Sequence, residues 1–257
     1  MTAPPLSHPD PADGRAAPAP PNARVVARLV LLVLSLVIAV ALHGLWRLVR
    51  APSPWPRLYL GLAARLFGAR PRIIGHPLRR DVVFLSNHLS WMDILLLAGA
   101  TGSAFVAKAE LRSVPLIGWM CTLNRTIFVR RGDRMGVAAQ VAELRDALAG
   151  AWAVAIFPEG TTGDGVTLLP FKGALLAALD PPPEGLMIQP VRIDYGDATS
   201  ELAWIGDEPG QHHAMRVLRR PGRFTATLHF LEPFAPTGGR KAIAAEARRR
   251  IEAGVTR

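Results

Sequence analysis

Residues 29–46 read LVLLVLSLVIAVALHGLW, eighteen positions without a charge. As a helix such a run is about 27 Å long, at the lower end of what crosses a bilayer. It reads as a membrane anchor. A cleaved signal peptide competes, because Ala39-Val40-Ala41 resembles a cleavage site, and a buried core helix is the third alternative. The long polar lead-in and a second apolar stretch, LYLGLAARLF at 58–67, favour the anchor. Between the two lies APSPWP, a helix break, so segments 29–49 and 55–68 can also form a hairpin that dips into one leaflet, with Trp46 and Trp55 suited to the interface.

Arg47, Arg50, Arg57, Arg65, Arg70 and Arg72 follow the apolar run, against Arg15, Arg24 and Arg28 before it. The excess predicts that the downstream part sits on the cytoplasmic side of the cell inner membrane. Residues 1–24 carry seven prolines and almost no large apolar side chains, which predicts a disordered Pro/Ala-rich tail. The expected organisation is therefore a tail (1–24), a hydrophobic membrane-anchoring helical segment (25–69) and one catalytic domain (70–257).

The net charge of +10 calls for an anionic partner, whether nucleic acid, lipid headgroups or a phosphorylated substrate. Only Lys108, Lys172 and Lys241 are lysines, so arginine carries the surplus, either for its fork-shaped donor set or through codon bias. A lone cysteine, Cys121, excludes an internal disulfide and fits a reducing compartment.

From residue 70 the pattern is α/β: a mixed, largely parallel sheet flanked by helices. Strands are expected at 72–75, 82–86, 103–107, 126–129, 152–157, 187–194 and 223–231. Helices are expected at 91–100, 115–121, 134–149, 171–179, 212–219 and 240–253.

Three stretches could carry chemistry. In FLSNHLSWMDILLL (84–97), His88 lies at a strand-to-helix junction, where α/β folds keep reactive groups. A neutral imidazole there can take a proton from a hydroxyl if a carboxylate fixes its tautomer, and Asp93 is in reach. The alternative is structural, since Ser90-Trp91-Met92-Asp93 fits a capping box. In AWAVAIFPEGTTGDG (151–165) an apolar strand exits into a turn rich in backbone donors and hydroxyls. In NRTIFVRRG (124–132) a short strand ends in paired arginines, suited either to an anionic headgroup or to solvent.

Taken together, NHLSWMD, TIFVRR and FPEGTT, in this order, resemble the glycerolipid acyltransferase family, which acylates lysophosphatidate and related lysolipids. The resemblance covers about residues 70–235, with FVAKAEL (105–111) and IQPVRI (188–193) also in matching places. It implies that His88 is a general base on the acceptor hydroxyl, that Asp93 orients it, and that the hydroxyl attacks an acyl thioester without an acyl-enzyme. It further implies Arg131 as a headgroup contact, Glu159, Gly160 and Thr161 at the acceptor site, and Lys108 as a headgroup or oxyanion contact. No cofactor is implied; acyl-CoA or acyl carrier protein is the co-substrate, and the bilayer and the lysolipid are partners.

Two departures stand out: Arg125 replaces the usual glycine before the second motif, and Thr162 replaces the arginine usual after PEGT. The expected acceptor is 1-acyl-sn-glycerol-3-phosphate, giving phosphatidic acid. The alternative is lyso-ornithine lipid, whose acyltransferases RTIFVRR and PEGTTGDG…LPFK also resemble. Other classes find less support. There is no G-x-S-x-G elbow for a serine hydrolase. His88, Asp93, Glu159, His212 and His213 lack the spacing of a metal site. The aromatics are scattered rather than interleaved with basic residues, so no nucleic acid is expected.

Overall fold

The computed structural model describes residues 21–129, 141–142, 144–146, 148, 153–173 and 175–254. Seven strands form one sheet in the order β1-β7-β6-β2-β5-β3-β4. They are β1 (Ala69–Ile74), β2 (Val82–Ser86), β3 (Ala104–Lys108), β4 (Ile127–Val129), β5 (Ala153–Ile156), β6 (Met187–Asp194) and β7 (Phe224–Phe230). All pairings are parallel except β6 with β7. Each of the seven expected strands is present, with β1 starting at Ala69 rather than at residue 72.

The centre of the sheet explains the sequence pattern. Every residue of β2 is buried, as expected of a parallel strand covered on both faces. Alternation along it feeds two cores. Phe84 packs with Phe105, Ala155, Val191 and Leu97 on one face, while Val83 and Leu85 join Ile156, Ile188, Ile243 and Ala247 on the other. Truncating such a buried side chain to alanine costs about 2–5 kcal/mol.

The main helices with both ends described are α1 (Pro21–Leu48), α2 (Trp55–Leu66), α3 (Met92–Thr101), α4 (Ile117–Leu123), α5 (Gly210–Arg219) and α6 (Gly239–Ala253), besides a single helical turn at Thr199–Leu202. Helix α1 begins inside the segment expected as tail, and its apolar side chains are mostly exposed. It folds back onto α2 through a T-shaped Trp46–Trp55 contact at 6.5 Å and a 2.7 Å bond between His43 Nδ1 and Ser53 Oγ. At its other end the Arg28 guanidinium donates to the carbonyls of Leu218 (2.7 Å) and Arg220 (2.9 Å), at the C-terminus of α5. Helix α2 packs on α3 at two glycines: a Cβ on Gly99 would lie 2.5 Å from Gly61 Cα.

Two expected helices differ. The segment 171–179 forms only a 3₁₀ helix, Leu175–Leu179. The Lys172 amide donates to Pro158 O at 2.7 Å, which ties the chain to the preceding turn instead of to a helix. Helix α4 starts at Ile117 instead of residue 115, because Pro115-Leu116-Ile117 forms a tight turn closed by a 2.7 Å bond from Ile117 N to Pro115 O. Of the helix expected at 134–149, the described residues between 141 and 148 are helical and 134–140 lie outside the described residues.

Candidate active site

Strands β5, β2 and β6 are adjacent and parallel, with Leu85 level with Ile156 and Ser86 level with Val191. Their C-terminal ends therefore deliver three loops to one place: 87–91 after β2, 157–163 after β5 and Tyr195 after β6. This edge is where an α/β sheet binds its ligands.

The β2 loop holds the dyad. His88 Nδ1 lies 2.8 Å from Asp93 Oδ2; the histidine side chain is 17% exposed and the aspartate 0%. The same Oδ2 accepts the amides of Leu89 (2.6 Å) and Ser90 (3.0 Å), while Oδ1 accepts the hydroxyl of Tyr195. Four donors on one buried carboxylate match its acceptor capacity. The capping bond from Ser90 N and the histidine bond coexist, so Asp93 both starts α3 and orients His88. With Nδ1–H donated to Asp93, the lone pair of the neutral ring is on Nε2, which among the described residues has no hydrogen-bond partner. Phe157 stacks on the imidazole at 4.0 Å and 14°, and Phe105 stacks behind Phe157 at 5.9 Å. Hydrogen bond and stack together fix the ring in two directions.

The β5 loop wraps the backbone of His88. Glu159 Oε1 accepts the His88 amide at 3.2 Å, and the Gly163 amide donates to His88 O at 2.8 Å. Glu159 is 3% exposed. Burial pushes its carboxyl up to about 7, against the lowering effect of amides from His88 and Leu169. Gly160 adopts φ +74 with the Lys172 side chain against it, so the turn uses a residue that tolerates the left-handed region.

The β6 end completes the frame. Asn87 donates through Nδ2 to Ile193 O (2.9 Å) and accepts the Ile193 amide on Oδ1 (2.7 Å), as a further strand would. Tyr195 is fully buried; burial first, and the Asp93 charge second, hold its phenol well above the usual range. It therefore remains a donor. On the outer side Trp91 Nε1 donates to His213 Nδ1 (2.8 Å), whose Nε2 bonds Leu202 O (3.0 Å). Burial lowers the His213 pKa, which suits the neutral ring these contacts require. Among the described residues no cluster of metal-binding side chains occurs.

A buried carboxylate, an imidazole with one open nitrogen and a braced loop at a sheet edge suit proton abstraction. Residues 70–194 match the protein family described as Acyltransferase. The chain is 34% identical over 250 residues to a lyso-ornithine lipid O-acyltransferase of Brucella abortus, covering 89% of this chain and 91% of that one. This chain belongs to the acyltransferase family. It is also 34% identical over 127 residues to a 1-acyl-sn-glycerol-3-phosphate acyltransferase of Neisseria gonorrhoeae, covering 49% of this chain and 48% of that one. The crystal structure of the 1-acyl-sn-glycerophosphate acyltransferase of Thermotoga maritima superposes with a TM-score of 0.58 at 24% identity, covering 91% of this chain and 98% of that one. That likeness bears on the fold.

Within this acyltransferase the expected site residues separate. His88, Asp93, Glu159 and Gly160 come together, but the Glu159 carboxylate faces the His88 backbone. Thr161 is exposed beside them, and Lys108 is exposed at the end of β3, one strand beyond β5. Arg131 lies outside the described residues. The Thr162 hydroxyl donates to Trp204 O, which directs it into the fold. Arg125 sits at φ +56, a backbone state that explains why glycine is usual there in the family. Sequence reasoning missed Tyr195, Asn87 as a clamp and Phe157 as a stacking partner; only the position of Tyr195 directly after an apolar strand hinted at the first.

Proposed function

We propose that this acyltransferase moves a fatty acyl group from a thioester, acyl-CoA or acyl carrier protein, to the free hydroxyl of a lysolipid. The observation that carries the mechanism is the 2.8 Å contact of His88 Nδ1 with the fully buried Asp93 carboxylate. His88 Nε2 accepts the hydroxyl proton as the oxygen attacks the thioester carbon; the C–O bond forms, the C–S bond breaks, and the proton passes from the imidazolium to the departing thiolate. Asp93 stabilises the imidazolium. Tyr195 and Glu159 act as positioning residues. A thioester is already activated, so positioning and a base suffice and no acyl-enzyme is needed. Arg131 and Lys108 are the proposed headgroup cations, and Gly160 and Thr161 line the acceptor side.

Lyso-ornithine lipid is the proposed acceptor. The Brucella relative matches over most of both chains, whereas the match to the Neisseria enzyme covers about half of each. Lysophosphatidate is the second reading, favoured by that Neisseria match and by the surplus of arginine.

The enzyme works at the inner membrane with its catalytic domain on the cytoplasmic side. Arg28 and His43 are about 22 Å apart along a helix. Yet Arg28 bonds the end of α5, and the stretch Leu36 to His43 lines a crevice with α2 and α4. These contacts support a helix that lies along the domain within one leaflet. The test is competition: purified protein, one labelled acyl thioester and equimolar lyso-ornithine lipid and lysophosphatidate in mixed micelles. Labelled ornithine lipid as the main product is expected; phosphatidic acid as the main product would select the second reading, and no labelled lipid would reject both.

A further inference from the structure

The segment between β3 and β4 displays apolar side chains that the soluble core does not use. Leu116 is 55% exposed, Ile117 47% and Trp119 44%, and Val114 is exposed beside them. The backbone is committed to this display. Leu116 has φ +65, a strained state for a bulky residue, within the turn closed by Ile117 N and Pro115 O. Gly118 lets α4 fold back on the preceding 3₁₀ turn, since a Cβ there would lie 2.2 Å from Arg112 O. Single exposed hydrophobics are ordinary, but four within six residues, on a strained turn, form a patch.

We propose that residues 114–119 form a second lipid-contacting surface, inserted into the interface of the leaflet that holds α1. Three observations select lipid as the occupant. The patch continues the apolar surface of the anchor, because Met120 and Leu123 of α4 line one crevice with Leu36, Val40 and Tyr59. Lys108, Arg112 and Arg125 are exposed on the flanking chain, and Glu110 is the one acid among the described residues 104–129, a balance that suits anionic headgroups. It includes an exposed tryptophan, Trp119, the side chain favoured at a bilayer interface. The surface follows directly from β3, whose neighbour β5 carries the Phe157–Gly163 loop, so lipid contact here brings the headgroup plane to the side of the site where Lys108 lies. The proposal rests on the membrane reading of α1.

The lone cysteine makes the test direct. In full-length Cys121→Ala protein, Ile117→Cys is labelled with a nitrobenzoxadiazole probe, and Leu34→Cys on α1 is labelled as the reference. Trp119→Cys serves if the first variant fails to fold. Each protein is reconstituted in phosphatidylcholine–phosphatidylglycerol vesicles and exposed to doxyl-labelled lipid or to aqueous iodide. Both labels are expected to be quenched by doxyl lipid and to lose at least half of the iodide quenching seen in the unfolded chain. A lipid-quenched label at 34 with an iodide-accessible label at 117 overturns the second surface and leaves the anchor intact. A label at 117 shielded from both quenchers points to a protein partner or second copy and also overturns it. Labels at 34 and 117 both open to iodide overturn the anchor reading together with this one.

Discussion

Asp93→Asn isolates the charge of the dyad from its geometry. Three of the four bonds to Asp93 converge on Oδ2, from Leu89 N, Ser90 N and His88 Nδ1. An asparagine with its amide oxygen in that place keeps an acceptor facing these donors, and a flip would set its NH₂ against two backbone donors. The NH₂ then faces Tyr195, whose hydroxyl rotates to accept instead of donating. The rearrangement of one hydrogen bond costs about 1 kcal/mol of stability, a shift in Tm of roughly 2–4 °C for a chain of this size. The imidazolium, however, loses its carboxylate. General-base catalysis contributes about 10²–10⁴ in rate, and the expected fall in kcat is about 10³-fold, roughly 4 kcal/mol of barrier. Thiol release from an acyl thioester in the presence of lysolipid measures the rate, and a circular dichroism melt measures the fold. A folded variant with kcat within about fivefold of wild type would refute the pairing and leave Asp93 as a helix cap.

Tyr195→Phe removes the donor to Asp93 Oδ1; kcat should fall about tenfold with the fold retained. Because that donor holds the carboxylate in line with His88 Nδ1, the loss should fall on kcat with both KM values little changed; an unchanged kcat would make Tyr195 merely structural. Glu159→Gln tests the buried acid: its carboxyl is lifted to about 7 from 4.5, so the folded chain retains a proton that the unfolded chain releases. The stability this proton confers is full below about pH 4.5 and is lost as pH rises through about 7. The variant should therefore show a flatter Tm between pH 5 and 7.5, and an unchanged slope would contradict the assignment. Gly99→Ala should lower Tm despite alanine's better helix propensity, because its Cβ meets Gly61 Cα at 2.5 Å and forces α2 off α3; a raised Tm would contradict the close packing.

What the sequence made legible is what is local. The unbroken apolar run of β2 announces a doubly covered strand, and a histidine just past its end announces a site. The Asp93 alternatives, cap or partner of His88, are not separable by spacing because one carboxylate accepts both the Ser90 amide and the His88 ring nitrogen. Tyr195 was invisible for a different reason: its contact with Asp93 spans 102 residues and exists only because β6 lies beside β2 in a register that levels Ser86 with Val191. Glu159 was legible as a residue of the turn after β5 but not in its direction, since a turn sequence does not say which side faces the neighbouring loop. The long apolar helix α1 was legible by hydropathy, while its attachment to the domain depends on Arg28 reaching carbonyls at Leu218 and Arg220, which no pattern near residue 28 encodes.

The central claim is direct, His88-dependent transfer from thioester to lysolipid hydroxyl. The measurement that tests it most directly is the time course of thiol release and lipid ester formation by wild type and His88→Ala, with and without lyso-ornithine lipid. The account predicts no thiol release without acceptor, one thiol per ester formed with it, and a loss of about 10³-fold or more in the variant. A stoichiometric burst of thiol before acceptor is added, or a folded His88→Ala protein that still forms the ester at near wild-type rate, would contradict it.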